Sequence, residues 1–140
     1  MSKLHGFTHG VGLLGAAIAT LALGGCPRPE GDPAKSQTRL ELARDFLLKN
    51  QLEAAEAEAN KAIAYLNTNE EAYNVRGLVH HLRALADQRL LEIEGCLTGL
   101  DAAALRDEVE KELGLAEADF RKAAALAPDF GEAFSNAGTA

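Results

Sequence analysis

The chain has 140 residues, with 21 acidic against 14 basic side chains and a formal net charge of −7. An excess of carboxylates argues against nucleic acid as a partner, because phosphates reward clustered Lys and Arg. It argues equally against electrostatic docking on anionic lipid heads.

Lys3 and its polar neighbours make a weakly basic start, Val11 to Leu23 carries no charge, and Leu23-Gly24-Gly25-Cys26 closes the run. A bacterial lipoprotein signal requires this order. The apolar segment enters the translocon, the small residues fit the peptidase, and the thiol accepts a diacylglyceryl group. The run is short of the ~20 apolar residues that span a bilayer but has the length of a signal core. Pro27 and Pro29 then keep a helix from continuing. Residues 1–25 are therefore read as a signal peptide cut between Gly25 and Cys26, with diacylglycerol and an N-acyl chain on Cys26 as the covalent lipid. One acyl chain holds marginally and two or more hold stably. Cys96 is then the only thiol left, which leaves no disulfide framework. In Glu94-Gly95-Cys96-Leu97 it reads as a small apolar plug at a hairpin tip. His80 and His81 with Cys96 supply too few ligands for zinc, and adjacent histidines point to different sides of a helix. No metal and no other cofactor is expected.

Pro27, Pro29 and Pro33, with Gly31 and no large apolar residue, make residues 26–36 a tether. Near ~3 Å per residue it lifts the folded part roughly 25–30 Å from the membrane. Beyond it the chain is rich in Ala, Leu and Glu and poor in β-branched residues, so helix is the default. The first helix, Gln37 to Lys49, carries Leu40, Leu42, Ala43, Phe46 and Leu47 at helical spacing. Asn50-Gln51 turns the chain. The second helix runs from Leu52 with Ala55, Ala59, Ala62 and Ile63 on one side, and Glu53, Glu56, Glu58 and Lys61 mostly toward solvent. It stops around Asn67-Thr68-Asn69, residues that favour caps and turns.

Two helices joined by a two-residue turn invite a search for repetition. Arg39 and Tyr73, and Ala43 and Gly77, lie 34 residues apart. A longer offset of 61 residues relates Tyr73 to Phe134, Gly77 to Gly138, Ala55 to Ala116, Ala62 to Ala123 and Asn67 to Pro128. One insertion of 27 residues inside the second unit accounts for all of these distances.

On Ala43, Phe46, Ala55, Tyr73, Gly77, Ala116, Phe120, Ala123, Pro128, Phe134 and Gly138 the chain resembles the tetratricopeptide repeat, a 34-residue helix–turn–helix unit. It departs from that pattern at Arg39 and Ala59, where aromatics are usual, and at Asn67, where proline is usual. The resemblance implies an all-α solenoid of antiparallel helix pairs: a first repeat at 37–69, a second at 70–130 with the insertion, and the start of a third at 131–140. Small residues at Ala43, Ala55, Gly77 and Ala116 are expected to let helices approach, and Phe46, Tyr73, Phe120 and Phe134 to fill the space between successive pairs. The chain ends two residues after Gly138, so either a longer protein continues the third repeat or a partner covers Phe130 and Phe134.

The insertion is expected to lengthen a helical hairpin rather than to form a loop. Val75, Leu78, Val79, Leu82, Leu85, Ala86 and Ile93 extend one stripe. With Asp101 as N-cap, Leu105, Val109, Leu113, Ala116, Phe120 and Ala123 make the other. Both keep near-heptad spacing, and each helix should gain about three to four turns, ~20 Å.

No nucleophile–base–acid motif, glycine-rich phosphate loop or metal cluster occurs, so an enzyme is not expected. The repeat resemblance implies a concave surface that holds partner proteins, lined here by Leu40, Arg44, Leu47, Asn74, Leu78 and His81. The family's carboxylate-clamping lysines are missing from that surface. A lipid anchor joined to tetratricopeptide repeats resembles the pilotins, outer-membrane lipoproteins that help secretin subunits assemble during type IV pilus biogenesis. Proline after Cys26 resembles the sorting pattern for the outer membrane, which implies the periplasmic face. The rival readings are an envelope adaptor for cell-wall enzymes or outer-membrane assembly, and a lipoprotein that holds a small ligand between helices.

Overall fold

Pro33 opens the first helix, α1 (Pro33–Leu48), one turn earlier than the composition of the tether suggests. Asp32 is its N-cap and accepts from the Lys35 amide at 3.0 Å. Proline suits the first helical position because its ring presets φ and no amide is needed there. The Asp32 amide also donates to Tyr65 O at 2.7 Å. Ser36, assigned above to the tether, is fully buried and donates through Oγ to Ala62 O at 2.8 Å. Residues 32–36 thus belong to the folded unit, and the tether ends before them. The computed structural model describes residues 31–93 and 99–129 together with Gly131, Ser135, Asn136 and Gly138, with the backbone alone at 93, 99 and 100. Gly25, Cys26, Cys96, Phe130 and Phe134 lie outside these residues.

The described residues form an all-α fold of α1, α2 (Leu52–Tyr65), α3 (Glu70–Ile93) and α4 (Gly99–Leu126), with no strand among them. The α1–α2 turn places Asn50 at φ 55°, the left-handed region that asparagine and glycine tolerate best. Asn50→Gly is therefore expected to hold or raise the thermal midpoint. Asn50→Ala should cost about 1 kcal/mol, read as a lowered midpoint in far-UV circular dichroism. Asn69 starts α3 as expected of its residue type, with Oδ1 accepting from the Ala72 amide at 3.0 Å. Its Nδ2 donates to Ser36 Oγ at 2.8 Å, so one buried side chain joins the starts of α1 and α3.

Cross-helix partners set the directions. Ser36 meets Ala62 and Arg39 meets Glu58, so α1 and α2 are antiparallel. Arg76 meets Asp119 and His80 meets Glu112, which makes α3 and α4 antiparallel as well. α3 packs against both α1 and α2. Leu40, Ala43, Ala59, Ala62, Ala72 and Val75 form one buried cluster, with Leu47 and Ile63 packed against it. Alanine dominates because helices this close leave no room for larger side chains.

Glu58 is the exception on the mostly solvated acidic face of α2. It is buried and bridges Lys61 Nζ at 2.6 Å and Arg39 Nη1 at 3.0 Å. The Lys61 ammonium, with Arg39 adding to it, holds the Glu58 carboxyl below the usual value of 4.5. A depressed folded-state pKa stabilises above the unfolded value and is lost as pH falls through the folded one. Stability should accordingly decline below about pH 4.5, and Glu58→Gln should flatten that acid limb in urea titrations.

The lengthened hairpin is present but uneven. α3 has 24 residues against 16 in α1, and α4 has 28 against 14 in α2. α3 therefore gains about two turns and α4 about four. α4 starts at Gly99, so Asp101 lies in its first turn instead of capping it. On α4 Ala116, Phe120 and Ala123 are buried and Leu105, Val109 and Leu113 half-buried, as the stripe requires. On α3 the stripe holds only near α1 and α2. Val75 and Val79 are buried, whereas Leu82, Leu85 and Ala86 are exposed because α1 has ended beside them. Ala84 is buried in their place.

The offset of 61 recurs in the backbone. Leu66 N donates to Ala62 O at 3.0 Å after α2, and Ala127 N donates to Ala123 O at 3.0 Å after α4. Ala55 and Ala62 share complete burial with their counterparts Ala116 and Ala123.

Candidate functional site

The seam where α1 and α3 lie side by side carries an open groove along one surface. Its wider end, ≈ 410 Å³, is lined by residues at both helix starts, among them Gln37, Thr68, Glu70 and Glu71. Its narrower end, ≈ 230 Å³, is lined by Arg44, Leu47, Leu48, Asn74, Val75 and Leu78. Arg44 belongs to both ends and donates from Nη2 to Glu71 Oε2 at 2.6 Å, a charged bar across the middle.

Four of the six expected groove residues, Arg44, Leu47, Asn74 and Leu78, thus line one wall-to-wall surface. Leu40 does not. It is fully buried in the α1–α2–α3 cluster, because the early start of α1 and the approach of Ala62 and Ala72 cover it. Asn74 is only 5% exposed, and its Oδ1 accepts from Asn136 Nδ2 at 2.9 Å. His81 is half-buried and lies outside the set that lines the groove, with a buried Nδ1 that lacks a hydrogen-bond partner. Leu48 was missed. It is 87% exposed, four residues after Arg44 on the same face of α1, and that spacing was the available signal.

The packing residues divide differently from expectation. Gly77 is buried against the ring of Phe120 within the α3–α4 hairpin, so this aromatic fills the inside of a helix pair and not the space between pairs. The reason is the absent Cβ: one added at Gly77 would stand 2.6 Å from Phe120 Cε1. Tyr73 packs on Ala123 and Ala124, donates from its hydroxyl to Asn67 O at 3.3 Å, and carries the Arg76 guanidinium over its ring at 5.5 Å. Phe46 is half-buried, and Pro128 and Gly138 are exposed in turns.

A ladder of charges along α3, which hydropathy patterning passed over, joins it to α2 and α4. Arg76 grips Asp119 through Nε at 2.7 Å and Nη2 at 2.6 Å, and reaches Asn60 Oδ1 at 2.7 Å. The carboxylate of Asp119 holds the Arg76 guanidinium even more firmly protonated than usual. His80 Nδ1 lies 2.7 Å from Glu112 Oε2, with both side chains buried. Arg83 donates to Glu56 at 2.6 Å. The signal was spacing: Arg76, His80 and Arg83 recur at helical intervals, opposite Glu112 and Asp119 seven residues apart. These groups pair with one another, so Arg76–Asp119 and His80–Glu112 fix the register of the hairpin and Arg83–Glu56 ties α3 to α2.

Among the described residues no group of three or more His, Cys, Asp or Glu side chains is placed to hold a metal ion, and no helix is long and apolar enough to cross a membrane. No protein-family model, curated protein or solved structure matches this chain.

Proposed function

We propose that the chain is a non-enzymatic docking scaffold of the tetratricopeptide type, held to the bacterial outer membrane by lipid on Cys26 and gripping a partner protein along the α1–α3 groove. The observation that carries this reading is the groove itself: a leucine-walled channel with Leu48 standing 87% exposed at its rim. An exposed large side chain beside other apolar walls is a feature of interaction surfaces. Repetition supports the solenoid part. The neighbours Ala43 and Ala59 in the first pair correspond to Gly77 and Phe120 in the second, at offsets of 34 and 61. Leu40 and Val75, in one cluster, correspond in the same way to the bonded Asn74 and Asn136. Within this class the resemblance of anchor plus repeats favours a secretin pilotin of type IV pilus biogenesis.

A photoreactive amino acid at Leu48 in the membrane-bound chain tests the docking surface. One protein should crosslink, and Leu78→Asp should abolish the adduct; no adduct, or one indifferent to Leu78→Asp, refutes the reading. Cys26→Ser should remove palmitate incorporation and release the chain from membranes. Deletion of the gene should abolish secretin multimers and surface pili while the envelope stays intact. Broad envelope damage would point to a general adaptor instead.

A further inference from the structure

The two ends of the groove differ in chemistry, and the difference selects the occupant. This inference rests on the docking reading above and adds a polarity to it. The end formed by the starts of α1 and α3 is polar, lined by Gln37, Thr68, Glu70 and Glu71. The end formed by the close of α1 and the middle of α3 is apolar, with Leu47, Leu48 and Leu78 in its walls. Glu41, exposed on α1 between Gln37 and Arg44, adds a third carboxylate. Against these three stands Arg44, the one cation among the described residues that line this end, and it is already bonded to Glu71. Among the described residues Glu41 accepts from Gln37 Nε2, at 3.3 Å. Among the described residues the polar end therefore carries more carboxylate than cation.

We infer that the groove takes a helical protein segment whose one half carries large apolar side chains and whose other half carries Lys or Arg, seated with its basic half at Glu41 and Glu70. Along the 16 residues of α1 the groove offers about 24 Å, room for roughly four helical turns. Leucines in the apolar half fill the space between Leu48 and Leu78, which provides most of the affinity. Charge complementarity at the other half sets direction and discriminates between partners.

The probe is a pair of synthetic helical peptides of about sixteen residues that share one leucine stripe, one ending in lysines and the other in glutamates. Binding to the lipidated full chain in neutral phosphatidylcholine nanodiscs is read by fluorescence anisotropy, with empty nanodiscs as background. The lysine peptide should bind about tenfold more tightly than the glutamate peptide at low salt, consistent with two exposed charge pairs. High salt should shrink that ratio. Glu41→Gln with Glu70→Gln should bring the two affinities together without loss of helix signal, and Leu48→Asp should weaken both peptides. Equal binding of the two peptides, or a preference that survives Glu41→Gln with Glu70→Gln, overturns the polarity and leaves the docking surface standing. Failure of both peptides while the Leu48 crosslink persists likewise overturns the polarity alone. Failure of both peptides and of the crosslink removes the docking surface as well.

Discussion

Phe120→Ala is expected to lower the unfolding free energy by about 3–5 kcal/mol, the range for emptying a buried aromatic site. The ring is 1% exposed and packs where Gly77 has no Cβ, so neighbouring backbone cannot collapse far into the space. The reciprocal change overfills the same place. In Gly77→Ala the new carbon would lie 2.6 Å from Cε1 and 2.8 Å from Cδ1 of the ring. The gain in helix propensity, about 1 kcal/mol, works against an overpacking cost of about 1–3 kcal/mol, and a net loss is expected. The informative variant is the double one. With the ring gone, the added methyl has room, so Gly77→Ala should become neutral or stabilising in the Phe120→Ala background. Urea titrations of the four proteins give the coupling energy. Additivity within about 0.5 kcal/mol would show that the two residues do not share the space assigned to them.

The second large effect is at Arg76. Its guanidinium meets both oxygens of Asp119, and the Asp119 side chain is only 9% exposed. Arg76→Leu leaves that carboxylate buried and unpaired, a change that costs about 3–5 kcal/mol where it has been measured for comparable pairs. Removing both charges, as Arg76→Leu with Asp119→Leu, should recover most of the loss, because the buried carboxylate and its half-buried partner are both replaced by apolar volume. A double variant no more stable than Arg76→Leu alone would mean that hydrogen bonding to Asn60 or packing of Tyr73, not charge burial, sets the cost.

The helices were legible from the periodicity of small and apolar residues, since alanine at positions such as 55, 59 and 62 marks the buried side of α2 whatever it packs against. Asn69 was legible as a residue of a cap or turn where α2 stops, and its short polar side chain serves the Ala72 amide at the start of α3. The start of α1 was not, because prolines were counted as breakers where Asp32-Pro33 is a capping residue followed by a first-turn proline. Glu58 lies in the sequence on a face read as mostly solvated, yet it is buried, as are Glu112 and Asp119. Residue-by-residue hydropathy assigns a carboxylate to water, and the pairing of Glu58 with Lys61 and Arg39, of Glu112 with His80 and of Asp119 with Arg76 makes burial tolerable. For the groove, the composition of its walls was readable on both helices. The loss of Leu40 to the core depends on how far Ala62 and Ala72 approach, a distance no spacing rule contains.

The bond from the Asp32 amide to Tyr65 O has a geometric consequence for a chain attached at Cys26. Only five residues separate Cys26 from Asp32, and covalent geometry limits that span to ~20 Å. α1 and α3 both begin near that point and run the same way, so lipid attached at Cys26, as proposed, would hold the origins of both helices within that reach of the membrane surface.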